Sequence, residues 1–295
     1  MIIGLMLVRN EDWILSASLF AALEWCDKVV VIDHSSTDDT RDILSTFKRL
    51  HRERLLIGFE ENTKTWNEMD VRQRCLQYGR NAGGAHFAMI DADEILTANL
   101  CKKIRAEVLS LRPGQVMDKK MIPVWRTLDQ YRDDASVWSR AAISLAFADK
   151  LGMSWKPKED GYHFHNRVPC GADPNHVKSS QDESGGVMHL QFAAWRRLTA
   201  KHSWYKMQEV TRWPGRKTVE QIDAMYNQAL DETDIKYATI PHDWWGPYPK
   251  HLINLDRSPW QERDCQRMLA EFGPEKFAGL ELWGVPDGAT AQTGY

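Results

Sequence analysis

Four consecutive residues, Asp91-Ala92-Asp93-Glu94, place three carboxylates directly behind the apolar run His86-Phe87-Ala88-Met89-Ile90. Hard oxygen ligands at the end of a buried strand suit Mg²⁺ or Mn²⁺, which keep several waters and bridge substrate phosphates. With one residue between them, Asp93 can coordinate the ion while Asp91 accepts hydrogen bonds from a ribose or a second metal-bound water. A solvated acidic turn would give the same letters, and D-x-D alone is common. Asp33 ends a second apolar run, Val29-Val30-Val31-Ile32. A carboxylate there can accept from a base N–H or a ribose hydroxyl, or it can cap the loop behind it.

The elements that must hold these groups are legible in the first third of the chain. Residues 2–8 form a strand, and residues 11–24 are apolar almost all round, as in a covered helix. The β-branched run at 28–32 suits a central parallel strand buried on both faces. Ile43, Leu44, Phe47 and Leu50 follow at helical spacing, Leu55–Phe59 is a third strand, and 68–81 is a helix. After the 86–90 strand, Thr97 is placed to cap a helix with Leu100, Ile104, Val108 and Leu111 on one face. Such alternation makes an open α/β sheet, whose ligands bind beyond the carboxyl ends of its strands. Arg9-Asn10-Glu11, Asp33 with its loop, and Asp91–Glu94 all fall there.

Beyond Arg112 the pattern loosens. Pro113-Gly114 is a turn, Met121–Trp125 a strand, and 126–186 mixes Trp, Gly, Pro and charge without a clear period. Thr218-x-x-Gln221 opens a helix with Ile222, Met225 and Ala229 inward. Ser258-Pro259-Trp260-Gln261 opens another, with a capping box and Pro at its first position. Residues 287–295 read as a loose polar tail.

In order along the chain, Leu7-Val8-Arg9-Asn10-Glu11, then Val31-Ile32-Asp33-His34-Ser35-Ser36-Thr37-Asp38-Asp39-Thr40, then Arg72, then Met89-Ile90-Asp91-Ala92-Asp93-Glu94 resemble the family 2 glycosyltransferases. These have the A-type nucleotide-diphospho-sugar transferase fold. Each piece is weak alone, and the ordered set, covering about residues 1–110, is fairly specific.

The resemblance implies a metal-dependent transfer of a sugar from a nucleotide-diphosphate donor, foremost a UDP-sugar, to an acceptor hydroxyl with inversion. It implies an open, mostly parallel α/β sheet of Rossmann-like type with a helical C-terminal extension. The expected division is a nucleotide-sugar-binding half at 1–112, an acceptor and metal-completing half at 113–217, and the extension at 218–295. By this analogy Arg9 and Asp33 belong to the donor site, with Asp33 on the nucleobase or ribose. Arg72 meets the base or diphosphate, Asp91 holds the ribose, and Asp93 holds Mn²⁺ or Mg²⁺. That ion neutralises charge on the leaving diphosphate.

An inverting transfer also needs a general base. Relatives draw it from an Asp or Glu after the central strands, where Glu159-Asp160 and Asp182-Glu183 stand. Asp160 is preferred because Trp155 and Gly161-Tyr162-His163 would frame a sugar-sized pocket. Relatives also use a late histidine as a metal ligand. Gly185–Leu190 reads as a short strand presenting His189, which is chosen over His163, His165 and His176. Each of these carboxylates and histidines also has a plain structural reading, as a surface or hydrogen-bonded residue.

Residues 186–217 carry seven Lys or Arg and one acid, Glu209. Arg197, Lys201 and Tyr205 share one helix face, which could close over a donor diphosphate. Basic and aromatic residues together also suit a polynucleotide, so the acceptor is either a glycan or hydroxymethylated DNA bases. The bland alternative is an amphipathic helix with Trp inward and charges in water. A non-catalytic glycan- or nucleic-acid-binding module on the same fold is the rival class. Nucleotidyl transfer is disfavoured, because the loop after strand one lacks the Gly-rich phosphate cradle.

Composition narrows the frame further. Apolar residues at 43% and charged residues at 27% exclude global disorder. No apolar run reaches the ~18 residues of a membrane-crossing helix, so no stable membrane insertion is expected. A net charge of −3 argues against coating nucleic acid through bulk charge. The five cysteines have no C-x-x-C spacing, which disfavours a zinc ribbon or disulfide framework. The N-terminus lacks a basic n-region before its apolar run, so a cytoplasmic protein is expected.

Overall fold

A computed structural model describes residues 1–61, 68–156, 167–179 and 184–285. The elements run β1 (Ile2–Val8), α1 (Leu15–Trp25), β2 (Lys28–His34), α2 (Thr40–Leu50), β3 (Leu55–Glu60), α3 (Glu68–Asn81) and β4 (His86–Met89). They continue β5 (Glu94–Leu96), α4 (Cys101–Leu109), β6 (Val116–Pro123), β7 (Gln130–Arg132), β8 (Ala142–Ala148), β9 (Val177–Lys178) and β10 (Val187–His189). The last are α5 (Trp195–Arg212), α6 (Val219–Asn227), β11 (Tyr237–Thr239), α7 (His242–Trp245) and α8 (Trp260–Phe272).

One sheet in the order β3-β2-β1-β4-β8-β6-β10-β5, with β9 beside β6, spans both halves of the predicted catalytic region. β3, β2, β1 and β4 are mutually parallel. β8 runs antiparallel to both β4 and β6, while β10 is parallel to β6 and antiparallel to β5. The mostly parallel α/β sheet expected from the sequence is therefore present. Its central strands are buried along nearly their whole length, as covering on both faces requires. Helix α1 packs on one side through Leu15, Leu19 and Leu23, and α3 on the other through Val71, Cys75 and Leu76.

The C-terminal helices build a separate core from Met207, Ile222, Cys265, Met268, Phe277 and Leu280. Among the described residues, no helix is long and apolar enough to cross a membrane. Three local expectations change. Thr97 does not cap with its side chain; its Oγ1 accepts from Gly186 N at 3.2 Å, tying β10 to the chain after β5. The Thr218–Gln221 capping box forms, and Ile222 and Ala229 turn inward, but Met225 remains 40% exposed because α6 is covered on one side only. At α8, Pro259 is the extended cap residue rather than the first helical one, and no side-chain cap bond forms.

Candidate active site

The parallel strands deliver the ordered motifs to one rim. The first two lock together: Asn10 N donates to Ser36 Oγ (2.9 Å), Thr37 N to Asn10 Oδ1 (2.7 Å) and Glu11 N to Thr40 Oγ1 (2.9 Å). Asn10 and Ser35 adopt left-handed backbone (φ 55° and 53°), which turns each chain sharply off its strand. For Ser35 this costs on the order of 1 kcal/mol, offset by the surrounding bonds. Ser35 Oγ donates to Glu60 O at 2.8 Å.

Asp33 is fully buried at the end of β2. Its carboxylate accepts from Ser36 N (3.2 Å) and Arg41 Nε (2.7 Å), so it performs the loop-capping role that the sequence left as the alternative. Arg9 lies beside it, with its guanidinium 4.7 Å above the Trp260 ring of α8 and a buried Nε that has no hydrogen-bond partner among the described residues. Burial lowers its pKa, against the raising effect of Asp264.

The D-x-D segment is held from several directions. Arg72 donates to Glu68 one helical turn earlier (2.7 Å) and to Asp91 Oδ1 (3.4 Å). Arg167 reaches Asp91 Oδ2 (3.1 Å), Glu94 Oε1 (2.7 Å), Ser144 O (3.1 Å) and Met89 O. Both oxygens of Asp91 therefore carry a guanidinium. Burial alone would lower the Arg72 pKa, but Asp91 and Glu68 together raise it, so the cation is permanent.

Asp93 lies on the opposite flank. The antiparallel β5–β10 pairing sets His189 opposite Glu94, and Leu190 N donates to Asp93 O at 2.8 Å. The His189 Nε2 consequently stands 3.6 Å from Asp93 Oδ2. Burial opposes ionisation of Asp93, yet the His189 ring and Lys201 outweigh it and hold the acid well below the usual carboxylate range. His189 Nδ1 is buried without a partner among the described residues, so no hydrogen bond there fixes its tautomer.

Helix α5 completes this flank. Arg197 pairs with Glu11 (3.2 Å) and donates to Asn10 O (2.6 Å), while Trp13 Nε1 donates to Glu11 (2.6 Å). Lys201 Nζ donates to Gln191 Oε1 (3.2 Å), two residues beyond His189. Burial raises the Glu11 pKa, opposed by Arg197 and reinforced by Asp93. For Lys201, burial works against the charge, but Tyr205, Asp93 and Glu11 prevail and hold it cationic. The sequence foresaw the shared face of Arg197, Lys201 and Tyr205. It did not foresee that the face points into the carboxylates.

Much of the basic stretch is thus engaged within the protein. Besides Arg197 and Lys201, Lys206 is wholly buried on Asp223, Arg196 pairs with Glu262, and Lys217 pairs with Glu209. Trp155 is also buried, packed on Phe147, and does not open as a sugar platform. His176 bonds Asp118 at 2.9 Å, away from this cluster. Asp160, His163, His165, Asp182, Glu183 and the 287–295 tail lie outside the described residues.

Asp93 and His189 can serve as two ligands of one divalent ion. Adjacent ligands of an octahedral ion with ~2.1 Å bonds stand about 3 Å apart, so a few tenths of an ångström of adjustment suffices. No group of three or more His, Cys, Asp or Glu suited to a metal occurs among the described residues. Water and substrate phosphate would have to supply the remaining positions, the usual arrangement for Mg²⁺. Sequence reasoning missed Arg167 and Glu68 as partners of the acidic segment. Glu68 to Arg72 is an i,i+4 pair visible in the sequence, whereas Arg167 follows an aperiodic stretch that gives no signal.

No family model matches the chain, and a comparison with curated proteins found none that matches. Solved structures similar to it include Staphylococcus aureus TarS residues 1–349 in complex with UDP, at 13% identity over 79% of this chain and 81% of that one (TM-score 0.44). Another is the Pyrobaculum calidifontis mannosyltransferase in complex with GDP-Man and Mn²⁺, at 20% identity over 43% of this chain and 35% of that one (TM-score 0.31). A third is a putative glucose-1-phosphate thymidylyltransferase from Bacillus anthracis, at 10% identity over 81% and 89% (TM-score 0.33). Identities this low leave the chemistry to be read from this chain's own residues.

Proposed function

We propose that the chain is a glycosyltransferase that moves a sugar from a nucleoside-diphosphate sugar to an acceptor hydroxyl, with inversion and with a divalent ion. The observation that carries this reading is the division of labour at the D-x-D segment. Asp91 is fixed by Arg72 and Arg167 at one side, and Asp93 stands beside His189 at the other. A carboxylate whose two oxygens are already oriented keeps spare lone pairs for ribose hydroxyls. Asp93 and His189 would hold Mg²⁺ or Mn²⁺, which supplies charge neutralisation on the departing diphosphate. We assign Arg9 to the donor side of the rim, where the buried Asp33 would hold the loop beneath the nucleoside, and Asp160 as the base that takes the acceptor proton. A glycan acceptor is favoured over DNA, because most of the basic groups of residues 186–217 are paired inside the protein.

The test is a thermal-shift screen of nucleoside diphosphates and nucleotide sugars, with Mn²⁺ and with EDTA, on wild type and Asp93→Asn. A donor at a hundred times its Kd stabilises the folded state by about 2.7 kcal/mol. The expected result is stabilisation by one nucleotide series, foremost UDP, that disappears with EDTA and in the variant. Donor turnover then separates an enzyme from a binding module. No shift with any nucleotide would sink the proposal.

A further inference from the structure

We infer that the C-terminal extension reads the donor's nucleobase: Trp260 and Gln261 of α8, together with Arg9, form a specificity site for an imide base, uracil or thymine. This deepens the proposed function, because it rests on a nucleoside diphosphate binding at this rim. Asp33 is not free to read the base, since its buried carboxylate is taken by Ser36 N and Arg41. Other groups must distinguish one base from another. The extension is fastened to the loops that follow β1 and β2. Arg257 bridges Asp12 of the first loop and Asp39 of the second, and Asn254 N donates to Trp13 O at 2.8 Å. Three residues beyond Arg257, Trp260 opens α8 with its ring 4.7 Å from the Arg9 guanidinium and T-shaped against Trp204 of α5 at 5.2 Å.

Arg9 Nε, Trp260 Nε1 and Gln261 Oε1 are each shut away from water and make no hydrogen bond among the described residues. Gln261 is only 4% exposed and follows Trp260 in the first turn of α8. Buried polar groups in native proteins are nearly always paired, so orphans at the Arg9–Trp260 contact and on the next residue mark bonds that a ligand can make. They comprise two N–H donors and one carbonyl acceptor. Uracil and thymine present the complement, two carbonyls flanking one ring N–H. Guanine and cytosine each offer one carbonyl, and adenine offers none. Neither Arg9 Nε nor the indole N–H has a hydrogen bond to give up when a base enters.

The experiment is calorimetry with Mg²⁺ on wild type, Trp260→Phe and Gln261→Met, titrating UDP, thymidine diphosphate, CDP, GDP, ADP and pyrophosphate. Phe keeps an aromatic ring without the N–H, and Met keeps the side-chain length without the acceptor. Wild type should bind UDP or thymidine diphosphate about tenfold or more tighter than the other three nucleotides. Each variant should weaken that preferred nucleotide about tenfold, the loss of one hydrogen bond, and leave pyrophosphate unchanged. A merely structural role for either side chain would weaken both probes together. Melting curves report folding, and the two variants lie on different side chains, so one suffices if the other does not fold. Unchanged affinity in a folded variant, equal loss of nucleotide and pyrophosphate, or a wild-type preference for CDP, GDP or ADP overturns the inference and leaves the glycosyltransferase reading standing. Failure of wild type to bind any nucleoside diphosphate overturns both.

Discussion

Replacing Arg167 by Met removes one guanidinium that serves Asp91, Glu94 and the Met89 and Ser144 carbonyls. The Glu94 side chain is only 5% exposed, so its carboxylate would lose its cation without gaining water. Breaking a buried ion pair from one side costs about 3–5 kcal/mol, more than the pair contributes against an apolar replacement. At ~2 °C per kcal/mol for a chain of this size, the melting temperature should fall by about 6–10 °C. Urea unfolding followed by tryptophan fluorescence gives the same quantity at 25 °C. Glu94→Gln in the Arg167→Met background should recover part of the loss, because the stranded charge is gone, and the double-mutant cycle should show coupling above ~1 kcal/mol. A loss below ~1 kcal/mol, or strictly additive single changes, would refute the view that Arg167 fastens the acidic segment.

Two further outcomes are expected. His34 and His202 are buried, and burial first of all lowers both to about 4. Such imidazoles bind fewer protons folded than unfolded, so stability present above ~6.5 falls as pH drops toward 4, by about 2 kcal/mol for each between pH 7 and 5. Urea titrations at the two pH values should show this slope, and His202→Gln should flatten it; a variant with the wild-type slope would contradict the assignment. Gly186→Ala would set a Cβ 2.4 Å from the Lys120 carbonyl oxygen, forcing β10 off β6. It should cost about 1–3 kcal/mol by thermal melting and, by displacing His189, weaken Mn²⁺-dependent nucleotide stabilisation. A variant that melts like wild type would show that the strand pair yields freely.

The parts of the fold that were legible are those with strong local periodicity. The helix at 68–81 and the strands around 28–34 and 86–89, which flank β1, follow from apolar spacing alone, because both faces of those strands are covered. The short β10 was legible as a strand presenting His189; the structure adds that a Cβ at Gly186 would stand 2.4 Å from Lys120 O, a close backbone approach. Thr97 misled because a hydroxyl before a helix satisfies local capping rules, while a more distant amide, Gly186 N, took it. For helix α5 the sequence left a diphosphate-closing face, a polynucleotide surface and a solvated amphipathic helix open; Arg197 and Lys206 are in fact buried, because carboxylates on other elements meet them.

By itself the sequence determined the α/β alternation, the rim to which Arg9, Asp33, Asp91 and Asp93 are delivered, and the identity of His189 as a strand-borne ring. Local hydrophobic period and turn chemistry suffice for those, since each involves residues within a few positions of one another. The tertiary structure alone decided that Asp93 meets His189, that Asp91 is gripped by Arg72 and Arg167, and that α5 turns Arg197 onto Glu11. Those pairings join residues tens to nearly two hundred positions apart. Their energies depend on burial and on mutual distance, and neither quantity exists until the chain has folded.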